Sequence, residues 1–149
     1  MANNLDIAVL AKKIVELAAL SPEDLEALHR RALALLEGSL DPRHRDLGYP
    51  LVNLGLSLTE QGRPLDAVAY LRRAHEIWTA ELDPQHPDLG LVALDLANAL
   101  WAQGEHAKAR QHYAEALAVW EALLPEDHPL LAYALTGRSE EHTSELQSP

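Results

Sequence analysis

Histidine is the residue type in this chain that most readily suggests chemistry, because it recurs at a fixed interval. His44, His86 and His128 follow one another 42 residues apart, and neutral imidazole is both a metal ligand and a proton carrier. One interpretation is therefore a series of metal sites, one in each repeat, or a chain of histidines that passes protons along. Metal ligands must converge within a few ångströms, whereas residues one repeat apart lie at least a helix-packing distance from each other. We expect instead that each imidazole bonds to the backbone of a turn, and that Asp46 and Asp88 then cap the helices that follow.

The other arrangements that could carry out catalysis are not supported by the sequence. His106 and His112 lie six residues apart on one predicted helix, so they do not share a helical face. We find no spacing typical of a Ser-His-acid nucleophile, no glycine-rich phosphate loop after a strand, and no pair of Glu-x-x-His motifs of the kind that builds a di-metal bundle. The prediction is a protein that is not an enzyme, with no catalytic residues, no cofactor and no metal. A histidine-based metalloenzyme is kept as an alternative.

Composition restricts the partners and the compartment. The formal net charge is −11, which disfavours binding to nucleic acid phosphates. The chain has no cysteine, which suits a reducing compartment, and we expect it to be cytoplasmic. The apolar stretch at residues 5–20 is interrupted by Lys12, Lys13 and Glu16, so it is predicted to be an amphipathic helix. We therefore expect neither a membrane span nor a signal peptide, and no membrane partner.

The histidines belong to a longer segment that repeats. Residues 40–48 read LDPRHRDLG, residues 82–90 read LDPQHPDLG, and residues 124–132 read LPEDHPLLA. Between these marks the apolar residues follow a helical period, and Gly62 and Gly104 are placed to end one helix before the next begins. Each unit of 42 residues is therefore predicted to be a pair of antiparallel helices. The residues predicted to face inward are Leu51, Leu54, Gly55, Leu58, Ala67, Leu71, Ala74, Ile77, Trp78, Ala93, Leu96, Ala97, Leu100, Ala109, Tyr113, Ala116, Val119 and Trp120.

The same register extends towards the N-terminus. Ser21 and Pro22 are a typical helix start, and the helix that they open places Leu25, Ala32, Leu35, Leu36 and Leu40 at the positions of inward residues in the next unit. The predicted units are 1–39, a degenerate repeat or cap; 40–81 and 82–123, two full repeats; 124–137, a truncated repeat; and 138–149, a tail. Residues 138–148 resemble the translation of a sequencing-library adapter, so this tail is left out of the fold argument.

The repeated segment, followed by Leu-(x)2-Leu-(Gly/Ala)-(x)2-Leu-(x)3-Gly and then by Ala-(x)3-(Leu/Tyr)-(x)2-Ala, resembles tetratricopeptide repeats of the 42-residue, kinesin-light-chain type. The sequence departs from that pattern at Arg45, where Pro is usual, and at Asp95, where Asn is usual. The resemblance implies an all-α fold, a right-handed superhelical solenoid of antiparallel helix hairpins. Similar repeats occur in bacterial signalling proteins, so a regulatory region of a larger protein of that kind, with further repeats, is one expectation.

The resemblance also implies a function in binding proteins. The first helices of successive repeats in this family line a groove for an extended peptide or a partner helix, which makes the expected partner a protein or peptide. An alternative is a structural or oligomerisation module that uses the ends of the solenoid, with weak self-association through the truncated repeat at residues 130–137. The positions that the family pattern places on the groove side are Tyr49, Val52, Asn53, Leu56, Thr59, Leu91, Leu94, Asp95, Asn98 and Trp101.

Overall fold

The computed structural model describes residues 18–129, together with Val9, Lys12, Glu16 and Ala132. This part of the chain contains five α-helices and a short 3-10 helix, and it has no strand. The elements are α1 (Pro22–Glu37), the 3-10 helix (Arg45–Leu47), α2 (Gly48–Glu60), α3 (Pro64–Glu81), α4 (Pro87–Ala102) and α5 (His106–Glu121).

Each of these helices packs against the next one in the chain, and α2 also contacts α4. The predicted all-α solenoid of helix hairpins is confirmed. The pair α2 and α3 lies within residues 40–81 and the pair α4 and α5 within 82–123, although the limits of the units stay a prediction. The helix predicted at residues 5–20 falls outside the described residues, apart from a few helical positions such as Val9 and Lys12. Within the described residues, no helix is both long and apolar enough to cross a membrane.

Two glycines make the sharp bends inside the hairpins. Gly62 has φ +74° and Gly104 has φ +90°, a left-handed conformation that glycine adopts without steric cost. After the first of them, the backbone N–H of Arg63 donates to the carbonyl of Leu58 at 2.9 Å, which closes a Schellman-type helix end. Pro64 then opens α3. Both predicted turns are confirmed.

The repeated histidines are themselves the caps of the helices that follow. The Nδ1 atom of His44 accepts from the N–H of Asp46, and that of His86 accepts from the N–H of Asp88, each at 3.1 Å. The predicted bond between imidazole and backbone is confirmed for these two histidines, but the prediction that the aspartates supply the caps is wrong. The imidazole is the N-cap, and the aspartate two residues later already lies inside the first turn of the helix, where the carboxylate of Asp88 accepts from the Tyr49 hydroxyl instead.

Glycines also allow close contact within each hairpin, between its first helix (α2 or α4) and its second helix (α3 or α5). A methyl group on Gly55 would overlap the side chain of Leu71 on α3, and one on Gly48 would overlap the indole of Trp78. The indole N–H of Trp78 donates to the carbonyl of Arg45 at 2.8 Å, so this tryptophan is fixed as well as packed. Large residues on α3 therefore fill the space that small residues on α2 leave open.

The predicted core is confirmed in the two full repeats and only in part at α1. The inward residues of α2 to α5 are buried, apart from Val119, which is half-buried. On α1, however, Leu35 is 66% exposed, whereas its counterpart Ile77 is 5% exposed, and Ala32 is exposed too. The expectation that α1 repeats the buried face of α3 is wrong at Leu35 and Ala32. Among the described helices, α1 packs closely against α2 and meets α3 only through long side chains such as Arg30 and Tyr70, whereas α3 packs closely between α2 and α4.

Candidate functional site

The exposed sides of α2 and α4 form the candidate site, which we call the first-helix face. It consists of Tyr49, Asn53 and Leu56 on α2 and Leu91, Asp95 and Asn98 on α4. Three of these residues are large and apolar, yet Tyr49 is 51% exposed, Leu56 42% and Leu91 40%. Because α2 and α4 touch, these groups lie on neighbouring helices of one surface. Clustered exposed apolar side chains are typical of binding surfaces.

Three residues predicted on the groove side do not present their functional groups there. Val52 and Leu94 are buried at 4% and 5% exposure, so they belong to the core. Thr59 is half-buried, and its hydroxyl donates to the carbonyl of Gly55 at 2.9 Å. Because α2 and α4 contact each other as well as neighbouring second helices, only a narrow stripe of each helix surface remains exposed to a ligand.

Asn98 and Trp101 are both half-buried, and each has a partner inside the protein. The carbonyl oxygen of the Asn98 side chain accepts from the Tyr113 hydroxyl at 2.8 Å, which fixes the side chain and leaves its NH2 group to donate. The ring of Trp101 lies 4.1 Å from the ring of His106 at an angle of 60°. Asn98 is therefore an oriented donor, and Trp101 borders the turn that ends α4.

Tyr49 connects one repeat to the next. Its hydroxyl donates to the carboxylate of Asp88 at 3.0 Å, at the start of α4, and its ring meets that of Trp78 edge to face at 5.1 Å. The hydrogen bond raises the pKa of Tyr49, with a further contribution from the negative charge of Asp88. Tyr49 is therefore a fixed part of the first-helix face, with half of its surface open to solvent.

Asp95 is the most perturbed acid of this face. Burial, together with the nearby negative charge of Glu60 on α2, raises the pKa of Asp95 to about 7. Since a desolvated carboxylate next to a like charge is unfavourable, the side chain gains from either a proton or a cation at this position. The two acids make this part of the first-helix face receptive to positive charge.

A different group of side chains lies on the second helices, and the sequence did not single it out. The Glu115 carboxylate on α5 contacts Nε2 of His75 on α3 at 2.7 Å and Nδ1 of His112 at 3.1 Å. The two imidazole rings are 5.1 Å apart. Burial by itself would raise the pKa of Glu115, but the hydrogen bonds and positive charge of His112 and His75 lower it to about 2. His75 and Glu115 are 40 residues apart, so only the fold brings them together.

Two depressions in the described surface also lie on second helices. One, of about 470 Å³, is lined by Ala107, Arg110, Gln111 and Ala114 of α5, and a smaller one lies along α1. Both are open and shallow, and neither includes a residue of the first-helix face.

The fold and this surface together define a class of protein, the solenoids built from helix hairpins. The sequence model of the tetratricopeptide repeat matches residues 14–80, 46–122 and 88–144. The chain belongs to the tetratricopeptide repeat family, whose members generally act as non-catalytic scaffolds for interactions between proteins. No curated protein matches the chain.

Solved structures support the same fold. A Podosopora anserina protein assigned as a kinesin light chain, with nearly identical TPR-like repeats, superimposes with a TM-score of 0.78 at 19% identity, over 85% of this chain and 60% of that one. A variant of that protein gives the same TM-score and identity, over 85% of this chain and 59% of its own. The chain thus spans about three fifths of those structures, and the predicted similarity to kinesin-light-chain repeats is confirmed at the level of the fold.

Proposed function

We propose that the first-helix face binds a peptide segment of a partner protein, in an extended form or as a helix. The observation that carries the proposal is the exposure of Tyr49, Leu56 and Leu91 on two touching helices. Apolar surface of this kind gains free energy when a partner removes it from water. The face thereby supplies both the area and the driving force that a peptide needs.

Polar groups on the same face can position the backbone of the peptide. Asn53 is exposed on α2, and its amide can both donate and accept. Asn98 is held by Tyr113, so its NH2 group requires little further ordering when it donates to a ligand carbonyl. Preorganised donors of this sort cost less conformational entropy on binding than mobile ones.

The charge of the face favours a peptide with a Lys or Arg side chain near Asp95. Glu60 and Asp95 lie on adjacent helices, and the pKa of Asp95 is raised by burial and by Glu60. A bound cation would remove the repulsion between the two acids, and it would favour the ionised form of Asp95. Complementary charge also discriminates between partners more strongly than it adds to affinity.

We further propose that the chain acts as the interaction or regulatory region of a larger signalling protein, in the cytoplasm. The repeat family supports a scaffold role. The alternative of self-association through residues 130–137 depends on positions outside the described residues, apart from Ala132.

Selection from a random peptide display library tests the proposal without knowledge of the natural partner. Peptides enriched on the full chain are synthesised, and their affinities are measured by fluorescence polarisation for the wild type and for Leu56→Ala, Asn53→Ala and Trp101→Ala. Loss of a central anchor should cost about 1 to 2 kcal/mol, or roughly five- to thirtyfold in affinity. Unchanged helical circular dichroism confirms that each variant is folded.

Two matched controls make the result specific. Leu65→Ala removes from α3 a leucine that is more exposed than Leu56, at 68% against 42%, and should leave the affinity unchanged. Tyr113→Phe removes the hydroxyl that holds Asn98 without changing the first-helix face itself, so it measures how much preorganisation contributes. Peptides that respond to Leu65→Ala, and not to Leu56→Ala, would place the binding surface on the second helices and contradict the proposal.

A further inference from the structure

Three side chains with metal-binding atoms meet on the surface of the second helices. His75 lies on α3, and His112 and Glu115 lie one helical turn apart on α5. One ligand atom from each residue lies within 4.8 Å of the other two. These side chains are partly shielded, with 19%, 23% and 35% of their surface exposed. The cluster therefore combines convergence, partial burial and access from solvent.

Two imidazoles and one carboxylate are a donor set typical of divalent transition-metal ions. In zinc enzymes this set leaves a coordination position open for water or another ligand. We propose that His75, His112 and Glu115 form a binding site for a divalent ion of the zinc type, which links α3 to α5. The chemistry is binding alone, with water completing the coordination shell.

To bind a metal ion, the ligand atoms of the cluster must move to new distances from one another, and this requires rotation of the three side chains. The carboxylate now contacts one nitrogen at 2.7 Å and the other at 3.1 Å. In a tetrahedral site with bonds of about 2.0 to 2.1 Å, the ligand atoms lie roughly 3.3 Å from each other. These two contacts use different oxygens of the carboxylate, Oε1 for His75 and Oε2 for His112. One ligand atom from each of the three residues lies within 4.8 Å of the other two, so each pair has to change its separation by at most about 1.5 Å.

The cluster is not a general feature of how these repeats stack. One repeat earlier, the positions of His75, His112 and Glu115 are occupied by Leu33, Tyr70 and Arg73. At that junction α1 and α3 are joined by other bonds: Arg30 donates to the Tyr70 hydroxyl at 2.7 Å, and Arg73 contacts Glu37 at 3.4 Å. Stacking of second helices thus does not require histidine. The ligand set is specific to the junction between α3 and α5.

Binding of zinc to the full chain tests the site. After treatment with a chelator, the chain is titrated with ZnCl2 in a calorimeter, and Co²⁺ absorption reports the coordination geometry. We expect a single equivalent to bind and to raise the melting temperature. The variants His75→Ala and His112→Ala should each weaken zinc binding by more than about tenfold, since the loss even of groups that only support metal ligands costs tenfold or more.

Two controls exclude binding by other histidines. His29→Ala changes a half-buried histidine on α1, and His142→Ala changes the histidine of the C-terminal tail; both should leave the zinc affinity unchanged. Absence of binding at 100-fold excess over the chain, or equal affinity in the wild type and His75→Ala, would overturn the proposal. The melting temperatures of the wild type and His75→Ala are also compared, once with zinc and once with chelator. If the difference between the two proteins is the same in both conditions, the cluster acts only through its hydrogen bonds, and the proposal is overturned.

Discussion

The second helices and the first-helix face, the two exposed sides of the solenoid, differ in what their surface side chains contact. On the second helices, α1, α3 and α5, and at Arg63, the residue just before α3, long polar side chains bridge successive repeats. Examples are the 2.8 Å contact between Arg63 and Glu26 and the contact of His75 with Glu115. On the first-helix face, Tyr49, Leu56 and Leu91 remain exposed. Polar surface groups of the second helices thus hold neighbouring repeats together, whereas the first-helix face keeps apolar side chains exposed, even though the Tyr49 hydroxyl bonds to Asp88 of the next repeat.

The difference follows from the geometry of the hairpins. Contacts between first helices, as between α2 and α4, are direct and rest on small or buried residues. Successive second helices are farther apart, so only long side chains such as Arg63 and Arg73 reach across. The second helices therefore contribute to the stability of the stack, and the first-helix face is the surface available to a partner. Substitutions on the second helices should change the free energy of unfolding, and those on the first-helix face should change the affinity for the partner.

The largest expected effect is that of Asp95→Asn, which removes the strained acid of the first-helix face. Its folded pKa of about 7 lies above the ordinary value of 3.8, so between these pH values the folded chain holds a proton that the unfolded chain has lost. Stability therefore falls as the pH rises from about 4 to 7. Asp95→Asn should remove this slope and raise the free energy of unfolding at pH 8 by up to about 4 kcal/mol.

Urea unfolding at pH 5 and pH 8 measures this effect. Asp66→Asn, on the exposed side of α3, is the control and should keep the wild-type slope. If Asp95→Asn is as unstable at pH 8 as the wild type, Asp95 is not strained, and the receptivity of the first-helix face to positive charge loses its basis.

A smaller effect is expected from Gly55→Ala, which disturbs the contact between a first and a second helix. The added methyl would overlap Leu71 and should destabilise the fold by about 1 to 3 kcal/mol. Gly38→Ala is the matched control, because a methyl there meets only ordinary contacts in a helical backbone conformation. It should be neutral or slightly stabilising. Equal midpoints of urea unfolding in the two variants would contradict close helix packing at Gly55.

Removal of a histidine cap should cost less. His86→Ala deletes the acceptor for the N–H of Asp88 and should lower the free energy of unfolding by about 1 kcal/mol, the usual cost of losing a helix cap. His86→Asn provides an alternative side-chain acceptor and should restore most of the loss. If His86→Asn is as destabilised as His86→Ala, the capping bond is not what His86 contributes.

The smallest effect is expected on the second helices. Arg63→Ala removes contacts with Glu26 and Asp66, but the Arg63 side chain is 44% exposed and such pairs are screened by solvent. The loss should be about 0.2 to 1 kcal/mol and should shrink in high salt. Peptide affinity should not change. Weaker peptide binding in Arg63→Ala would show that the two surfaces are not independent.

Much of the fold could be predicted from the sequence because each repeat contains local signals for its turns and for the buried faces of its helices. Gly62 and Gly104 mark bends that require a positive φ, and the helical period of the leucines and alanines identifies the buried faces of α2 to α5. At α1 the same inference fails for Leu35, because exposure depends on which neighbours are present and not on the period alone.

The site was less predictable for the same reason. Val52 and Leu94 match the family pattern but are buried, because contacts with other helices cover that part of α2 and α4. The convergence of His75 on Glu115 depends on how far apart the second helices lie. A search for histidines and acids separated by about one repeat length, on second helices only, would have found that cluster.

The most direct test of the account is to map where a selected peptide contacts the chain. Backbone amide resonances of the ¹⁵N-labelled chain are followed by NMR as the peptide is added. The account predicts that the largest shifts occur at Asn53, Leu56, Leu91 and Asp95, and that Tyr70 and Arg73 on α3 do not change. Shifts concentrated on α3 and α5, with the first-helix face unaffected, would contradict it.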